Sequence, residues 1–198
     1  MKTPISRPPS EQPLPEQAQK VFTGKIFDVY QWEQTLFNGT TTTFEKLRRP
    51  DTVLVIPVTQ DDKIILLDEE QPGKVPFLSF VGGRIEEGED VLAAAEREML
   101  EETGYKAQEY HLMDAIQPIS KIEWAVYTFV ARGCYKAQEQ ALDTGEKINL
   151  RFISFQEFLD EAAESGFHEI HLAVKVLQAI NDPNKMRELQ QLMFGPSA

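Results

Sequence analysis

The sequence predicts an α/β fold in which a mixed β-sheet packs between helices, with a small antiparallel β-hairpin at the N terminus. Strand-like segments come first, one helix-like segment interrupts them near residues 90–104, and further strands and three helices follow. Hydrophobic residues make up 41% of the 198 residues and charged residues 26%. These values are typical of a globular chain large enough to bury a proper core.

The N-terminal part divides into a polar tail and a hairpin. Residues 1–18 hold five of the twelve prolines and almost no apolar side chain, so we expect a disordered, mobile tail. Residues 19–49 are strand-like on both sides of Asn38-Gly39, and Asn-Gly between β-prone runs is a strong hairpin signal. Residues 50–198 are then the main domain.

The strands of the main domain are predicted from apolar runs. Residues 52–58 are almost continuously apolar, as expected of a central strand that is buried on both faces. Asp61-Asp62 predicts a turn, and residues 135–147 predict a polar loop. The other predicted strands span residues 63–67, 111–119, 123–132 and 148–154.

Four helices are predicted. The first begins after Asp90, a plausible N-cap, and ends at Gly104, where a helix needs positive φ. The later helices span residues 155–165, 169–181 and 183–193, and Pro183 suits the first turn of the last one. One face of the first helix is suited to a core through its residues at helical spacing, Leu92, Ala95, Met99 and Thr103.

Charge and composition exclude several classes of function. The net charge of −12 and the pI near 4.7 argue against binding to a nucleic-acid backbone, which needs a basic face. No apolar run approaches the roughly 18–20 residues of a membrane span, and the Pro-rich start is not a signal peptide. The single Cys134 is predicted to be a buried apolar residue. We therefore expect a cytoplasmic enzyme without nucleic-acid or membrane partners.

An acidic stretch over residues 83–105 carries the strongest functional signal. A glycine turn, an acidic loop and the first helix bring together six glutamates: Glu86, Glu87, Glu89, Glu98, Glu101 and Glu102. Glu98 and Glu102 are four residues apart and stack on one flank of the helix. Such carboxylates repel each other unless a cation neutralises them, and Mg²⁺ prefers oxygen ligands. The alternative is a solvated acidic helix face with an ordinary Arg97–Glu101 ion pair.

The spacing of this stretch resembles the Nudix box position for position. The matching positions are Gly83, Glu89, Arg97-Glu98, Glu101-Glu102 and Gly104. The resemblance implies an α/β/α sandwich that hydrolyses a nucleoside diphosphate linked to another group with Mg²⁺ or Mn²⁺. A diphosphate substrate and an acidic pocket both carry negative charge, which is consistent with a bridging metal ion.

The resemblance also implies residue roles. Glu98 and Glu102 are the principal metal ligands, Glu101 assists them, and the Gly82 carbonyl completes a site. Glu89 binds a further metal or orients a ligand, while Arg97 holds the loop carboxylate in place. Gly83, at the start of the box, is assigned to substrate binding.

Residues 21–180 are similar to the ADP-ribose pyrophosphatase branch of the family. The likeness rests on residues 21–29, the Asn38-Gly39 hairpin, Pro50 and Ala131-Arg132. It implies a homodimer formed through the N-terminal sheet, with the nucleotide base stacked on Trp32. Plain packing is the alternative for Trp32. Arg49, with its neighbour Arg48, is placed to meet a phosphate, and the alternative is two surface arginines.

The same branch places a catalytic base in the loop before the last strand. Glu146 occupies this position, and a loop that closes over a metal-bound water can supply a base. An exposed loop glutamate is the alternative for Glu146, and Glu98 or Glu89 could serve as the base instead.

Two segments depart from the pattern of the branch. Residues 68–72 are acidic where the branch is rich in arginine, and Lys121, Glu123 and Trp124 are predicted to form a different selectivity surface. The predicted function is Mg²⁺-dependent hydrolysis of the pyrophosphate bond of a small nucleotide such as ADP-ribose or an NDP-sugar, giving two phosphate-containing products. The alternative is a Nudix-fold domain that senses a nucleotide without hydrolysing it.

Overall fold

A computed structural model describes residues 5–164, 167 and 169–196. The strands are β1 Gln19–Thr23, β2 Asp28–Thr35, β3 Thr41–Arg48, β4 Thr52–Thr59, β5 Ile64–Glu70, β6 Phe77–Ser79, β7 Val81–Arg84, β8 Tyr105–Lys106, β9 Glu109–Ile116, β10 Ile122–Glu123, β11 Val126–Lys136 and β12 Lys147–Ile153. The helices are α1 Val91–Thr103, α2 Phe155–Ala163, α3 Ile170–Asn181 and α4 Pro183–Phe194. Among the described residues, no helix has the length and apolar character needed to span a bilayer.

The strands form two sheets. The larger has eight strands along the path β12-β5-β4-β11-β8, with β6 beside β5, β7 beside β4 and β9 beside β11. β4 and β11 are parallel at its centre, whereas its other pairs are antiparallel. The smaller sheet has the order β1-β2-β3-β10 and is built mainly from the N-terminal hairpin.

Core residues on β4 alternate between two sides of the large sheet. Leu54 and Ile56 belong to a cluster with buried residues of α2, α3 and α4. Val53 and Val55 belong to a second cluster with Met99 of α1. Successive strand residues point to opposite faces, so the sheet lies between α1 on one side and the C-terminal helices on the other. The predicted α/β/α sandwich with a mixed sheet and an additional N-terminal sheet is confirmed.

The predicted elements agree with the observed ones, with local exceptions. The sequence missed four short strands, β6, β7, β8 and β10, of two to four residues each. Such short runs show no periodicity, and only their pairing partners define them. The helix predicted over residues 155–165 ends at Ala163, and residue 165 lies outside the described part of the chain.

The N-terminal segment from residue 5 to residue 15 lies against the domain, in contrast to the predicted mobile tail. Arg7 contacts Asp51 and Glu123, and Gln117 donates a hydrogen bond to the carbonyl of Pro8. Residues 1–4 of the predicted tail lie outside the described residues. The composition of this segment predicts that it buries little apolar surface, but composition gives no information about ion pairs with distant residues.

Lys46 is one of the large side chains that are fully buried among the described residues, and polar groups surround its ammonium group. Its Nζ donates to Glu123 Oε2 at 2.7 Å, Ser10 Oγ at 2.9 Å and the Gln12 carbonyl at 2.5 Å. Burial tends to raise the pKa of Glu123, but hydrogen bonds from Lys46 and Arg7 outweigh it, so the pKa lies below the usual 4.5. A buried ion pair between Lys46 of β3 and Glu123 of β10 thus joins two neighbouring strands of the smaller sheet.

Replacing Glu123 by glutamine is expected to destabilise the protein by about 3–5 kcal/mol at pH 7, because Lys46 then keeps its buried charge without a counterion. A carboxyl with a lowered folded pKa stabilises the fold above its unfolded pKa and loses that contribution as the pH falls through the folded pKa. The advantage of the wild-type protein over Glu123→Gln should therefore begin to shrink below about pH 4.5 and decrease further as the pH falls towards the lower pKa of the folded state. Urea unfolding at pH 7 and pH 3.5 measures both effects.

Glu70→Gln is the matched control, since Glu70 forms an exposed pair with Lys147 at 3.5 Å. Its loss should cost no more than about 1 kcal/mol. Equal destabilisation by the two substitutions would contradict the role given to the buried pair.

Candidate active site

Strand β7 and helix α1 place the acidic stretch next to β4, a central strand of the large sheet. β7 pairs with β4, and the acidic loop then leads to α1. The Asp90 side chain accepts hydrogen bonds from the amides of Leu92 and Ala93, as the predicted N-cap should. Gly104 ends the helix with φ of 73° in the left-handed region, also as predicted.

Two glycines let the α1 carboxylates approach β7. The Gly82 N–H donates to Glu102 Oε2 at 3.0 Å. In an extended strand the N–H and C=O of one residue point to the same side, so the Gly82 carbonyl faces α1 as well. A Cβ on Gly83 would overlap the Glu98 carboxylate, so any residue other than glycine at this position would displace that carboxylate.

Replacing Gly83 by alanine is therefore expected to lower kcat/KM by about 100-fold, because Glu98 must move by roughly an ångström. The assay is the predicted hydrolysis of a diphosphate compound with Mg²⁺, accompanied by a thermal melt that checks the fold. Gly39→Ala serves as control, because that glycine has positive φ but no atom near its missing Cβ. Gly39→Ala should lose stability and keep its activity. Full activity of Gly83→Ala would contradict the close approach.

Arg97 connects the loop to the helix through a network of carboxylates. Its Nε and Nη2 donate to the two oxygens of Glu89 at 2.8 and 3.0 Å, and its Nη1 donates to Glu98 at 2.9 Å. Nη1 also donates to Glu101 at 3.1 Å, and Nη2 also donates to the carbonyl of Arg84 at 3.0 Å. The hydrogen bond from Arg97 lowers the pKa of Glu89, so Glu89 is held ionised at the loop.

The carboxylates of α1 differ in exposure. Glu101 has 44% of its side chain exposed, Glu98 only 13%, and Glu102 is buried. Burial raises the pKa of Glu98 and raises that of Glu102 to about 9. The negative charges of Glu98, Glu69 and Glu146 also raise the pKa of Glu102, whereas the hydrogen bond from Gly82 lowers it. Nearby positive charge would reverse this effect by favouring the ionised forms.

The loop between β11 and β12 is attached to the C-terminal end of α1. The Ala141 N–H donates to the carbonyl of Glu101 at 2.8 Å, and Gln140 Nε2 donates to the carbonyl of Glu102 at 2.6 Å. These contacts use carbonyls that a helix end leaves free. They place Glu146 beside the carboxylates, and burial raises its pKa. The sequence did not identify Gln140, because an anchoring glutamine in a polar loop has no distinguishing pattern.

The predicted catalytic residues meet in one cavity of about 640 Å³, here called the carboxylate cavity. Two further cavities adjoin it. The N-terminal cavity, of about 880 Å³, is lined by Arg7, Leu14, Lys25, Arg48 and Arg49 among others. The Trp124 cavity, of about 800 Å³, is lined by Trp124, Phe80, Arg49, Glu69 and His171 among others. The lining of the carboxylate cavity includes Gly82, Gly83, Arg97, Glu98, Glu101, Glu102 and Glu146.

Arg49 lies between these cavities and lines the second and the third. Its guanidinium stacks on Trp124 at 4.7 Å and on Phe27 at 5.8 Å, and its buried Nε has no hydrogen-bond partner among the described residues. Burial and the charge of Arg84 lower its pKa. Arg48 is exposed at the rim of the N-terminal cavity, and Arg84 lines the carboxylate and Trp124 cavities.

The structure corrects the prediction that Trp32 forms a platform for the nucleotide base. Its side chain is buried, packs against Phe44 with ring centroids 6.0 Å apart, and donates to Gln34. It lines none of the three cavities. Within the described chain Trp32 therefore packs in the interior of the hairpin, the alternative that the sequence left open.

The predicted selectivity surface divides into structural and cavity-facing residues. Glu123 lines the N-terminal cavity, but its carboxylate already accepts hydrogen bonds from Lys46 and Arg7, whereas Trp124 lines the Trp124 cavity. The sequence missed Glu69, a buried carboxylate of β5 that accepts from Ser79 and Gln71. Strand alternation was the available signal, since Glu69 is two residues beyond Leu67 and points to the α1 side.

The donor set fits a divalent cation in its chemistry. Among the described residues, no three His, Cys, Asp or Glu side chains already converge at metal-ligand spacing. Arg97 draws Glu89, Glu98 and Glu101 toward itself, and Glu102 accepts from Gly82 instead. Carboxylate and carbonyl oxygens on a glycine turn and one helix flank are nevertheless the ligands that Mg²⁺ and Mn²⁺ take.

Comparisons with known proteins point to one family. A model of the NUDIX domain matches residues 48–173. A methanol dehydrogenase activator from Bacillus methanolicus is 30% identical over 81% of this chain and 89% of its own length. An ADP-ribose pyrophosphatase from Bacillus subtilis strain 168 is 28% identical over 71% of this chain and 78% of its own.

Two further matches agree. The ADP compounds hydrolase NudE of Escherichia coli K12 is 30% identical over 50% of this chain and 54% of its own length. A crystal structure of an ADP compounds hydrolase superposes with a TM-score of 0.70 at 23% identity, covering 93% of this chain and 97% of the other. This last likeness concerns the fold.

Proposed function

The chain belongs to the Nudix family and is a pyrophosphatase of that family, and we propose that it hydrolyses the diphosphate bond of an ADP-ribose-like compound with Mg²⁺ or Mn²⁺. The products would be two phosphate-containing molecules, a nucleoside monophosphate and a sugar phosphate in the case of ADP-ribose. The observation that supports this most directly is the carboxylate cavity, which collects Glu98, Glu101, Glu102 and Glu146 from two separate parts of the chain.

Glu98 and Glu102, with the carbonyl of Gly82, are the groups that would hold a divalent cation, and Glu101 would assist. When bound, such a cation supplies positive charge to the diphosphate and makes a coordinated water more acidic. Glu89 either supports a further cation or keeps Arg97 in place through its two hydrogen bonds.

The chain's own residues would bind the substrate and accept the proton of the attacking water. Arg49, whose Nε lacks a partner among the described residues, would bind a phosphate oxygen next to the cavity. Arg84 lies close enough to Arg49 to lower its pKa, and an anion between them would relieve their repulsion. Glu146 would accept the proton of the attacking water, from a loop attached to the helix that carries Glu98 and Glu102.

The competing proposal of a non-catalytic sensing domain is less well supported. A domain that binds without hydrolysis has no need of the box carboxylates, yet Glu89, Glu98, Glu101 and Glu102 are all present. The relative from Bacillus methanolicus favours a second candidate function, activation of a partner dehydrogenase. Adding the chain, or its Glu98→Gln variant as control, to a methanol dehydrogenase assay tests this candidate.

We also propose a homodimer formed through residues 19–49. Apolar side chains are exposed on and next to β1, with Phe22 60% and Ile26 47% exposed, and Phe37 is fully exposed at the hairpin tip. Contiguous exposed apolar surface often marks a protein interface. Light scattering after size exclusion measures the mass in solution, and a monomeric mass would exclude the dimer.

A substrate panel in ¹⁸O-labelled water tests the proposed activity. The panel contains ADP-ribose, NDP-sugars and dinucleotides, each with Mg²⁺, with Mn²⁺ and with EDTA. We expect ADP-ribose-like compounds to be cleaved only with a metal ion, and the position of the label identifies the phosphorus attacked. Binding of these compounds without any hydrolysis would favour the sensing domain instead.

A further inference from the structure

Arg7 connects the N-terminal segment to the edge of the main domain. Its Nε and Nη2 donate to the two oxygens of Asp51 at 2.7 and 3.1 Å, and its Nη1 donates to Glu123 at 2.7 Å. A two-pronged contact of this kind fixes both position and orientation. The residue lies outside the segment that matches the family model, so family membership assigns it no role.

Asp51 is a junction between three parts of the molecule. Its Oδ1 accepts from the amide of Ala125 at 2.7 Å in addition to Arg7. Its backbone carbonyl accepts from the amide of Ile85 at 2.9 Å, in the loop that leads to the box glutamates. Asp51 therefore joins the N-terminal segment, the start of β11 and the acidic loop.

The two residues just before Asp51 together line all three cavities. Pro50 lines the carboxylate cavity, and Arg49 lines the N-terminal and Trp124 cavities. Ile85 lines the carboxylate and N-terminal cavities. A shift of the turn at residues 49–51 would thus move Arg49 and the acidic loop together.

The N-terminal segment is held at more than one point. Lys46, with no exposed side-chain surface, donates to Ser10 Oγ and the Gln12 carbonyl, and Gln117 donates to the Pro8 carbonyl. Arg7 has 39% of its side chain exposed, so it can be replaced without opening the buried core. The segment from residue 5 to residue 15 acts as a strap across the domain.

We propose that Arg7 is a positioning residue, which holds the turn at residues 49–51 and the Ile85 loop in the arrangement that binds substrate. This proposal rests on the proposed function for its kinetic consequence, while its structural part is independent of it. Arg7 acts through Asp51 and takes no part in the chemical step.

The test compares Arg7→Ala, Arg7→Lys and Arg187→Ala with the wild-type chain. Arg187 is exposed on α4 and lines none of the three cavities, so its alanine variant is the matched control. ADP-ribose hydrolysis with Mg²⁺ gives KM and kcat, and hydrogen exchange of the Ile85 amide reports on its bond to Asp51. Thermal melts check that each variant is folded.

We expect Arg7→Ala to raise KM about tenfold with kcat within about twofold, because ground-state and transition-state binding are lost alike. Exchange at Ile85 should become faster, Arg7→Lys should recover part of both effects, and Arg187→Ala should change neither. Unchanged KM with unchanged exchange would overturn the proposal. A higher KM with unchanged exchange would also overturn it, since Arg7 would then contact the substrate directly.

Failure of the proposed function gives a different result. If the wild-type chain hydrolyses no ADP-ribose, the activity is wrong, and exchange at Ile85 alone decides the coupling. Faster exchange in Arg7→Ala but not in Arg187→Ala then supports the link through Asp51, and equal exchange in all variants refutes it.

Discussion

Glu102→Gln is expected to lower kcat by about 1000-fold, because the variant loses a carboxylate that we propose to hold the metal ion, a role worth several kcal/mol in the transition state. The glutamine oxygen can still accept the hydrogen bond from Gly82, so the local fold is retained. Steady-state kinetics over a range of Mg²⁺ and Mn²⁺ concentrations measure the loss. Glu96→Gln is the control, since Glu96 is exposed on the same helix.

The same substitution is expected to stabilise the metal-free protein. Burial raises the pKa of Glu102 from 4.5 to about 9, so its ionisation opposes folding. In EDTA the wild-type chain should lose stability as the pH rises from about 4.5 towards 9, and Glu102→Gln should lose less. Thermal melts across this range provide the measurement. A variant that is less stable than the wild type in EDTA at pH 8 would contradict the argument from crowded carboxylates.

Glu146→Gln is expected to lower kcat by about 100-fold to 10,000-fold with little change in KM, because a general base contributes about that much. Glutamine keeps the size of the side chain but cannot take a proton from water. The rising limb of the pH–rate profile should be lost together with the base.

Glu139→Gln provides the comparison within the same loop. Glu139 has 96% of its side chain exposed and forms an ion pair with Lys136 at 3.8 Å, so its substitution should leave kcat unchanged. If kcat of Glu146→Gln stays within a few-fold of the wild type, Glu146 is not the base. Glu98→Gln and Glu89→Gln would then identify the base by the same loss of the rising limb.

Local features were predictable because their causes lie within a few residues. Asp90 and Gly104 define α1 through hydrogen bonding and positive φ, both of which the residue type favours. The continuous apolar run of β4 likewise reflects burial on both faces by its own side chains. Spacing alone also brought Glu98 and Glu102 to one flank of the helix.

Features that depend on distant partners were missed. The family resemblance implies that the base stacks on Trp32, with plain packing as the alternative, yet Trp32 is buried and packs against Phe44 on β3. Glu123 was assigned to selectivity, but Lys46 and Arg7 use both of its oxygens. A buried lysine is rare without a partner, and no short-range pattern indicates which partner it finds.

The strap also sets an order of events in folding. Arg7 and Glu123 are 116 residues apart, and the central pairing of β4 with β11 joins residues such as Val53 and Tyr127. Contacts at such separations form slowly, because a long loop must close before they stabilise anything. The contact of Arg7 with Glu123 can therefore form only after 116 further residues have been made, whereas its contact with Asp51 needs only 44. Helix α1 with the box glutamates, whose own hydrogen bonds join residues four apart, can form before the contact with Glu123.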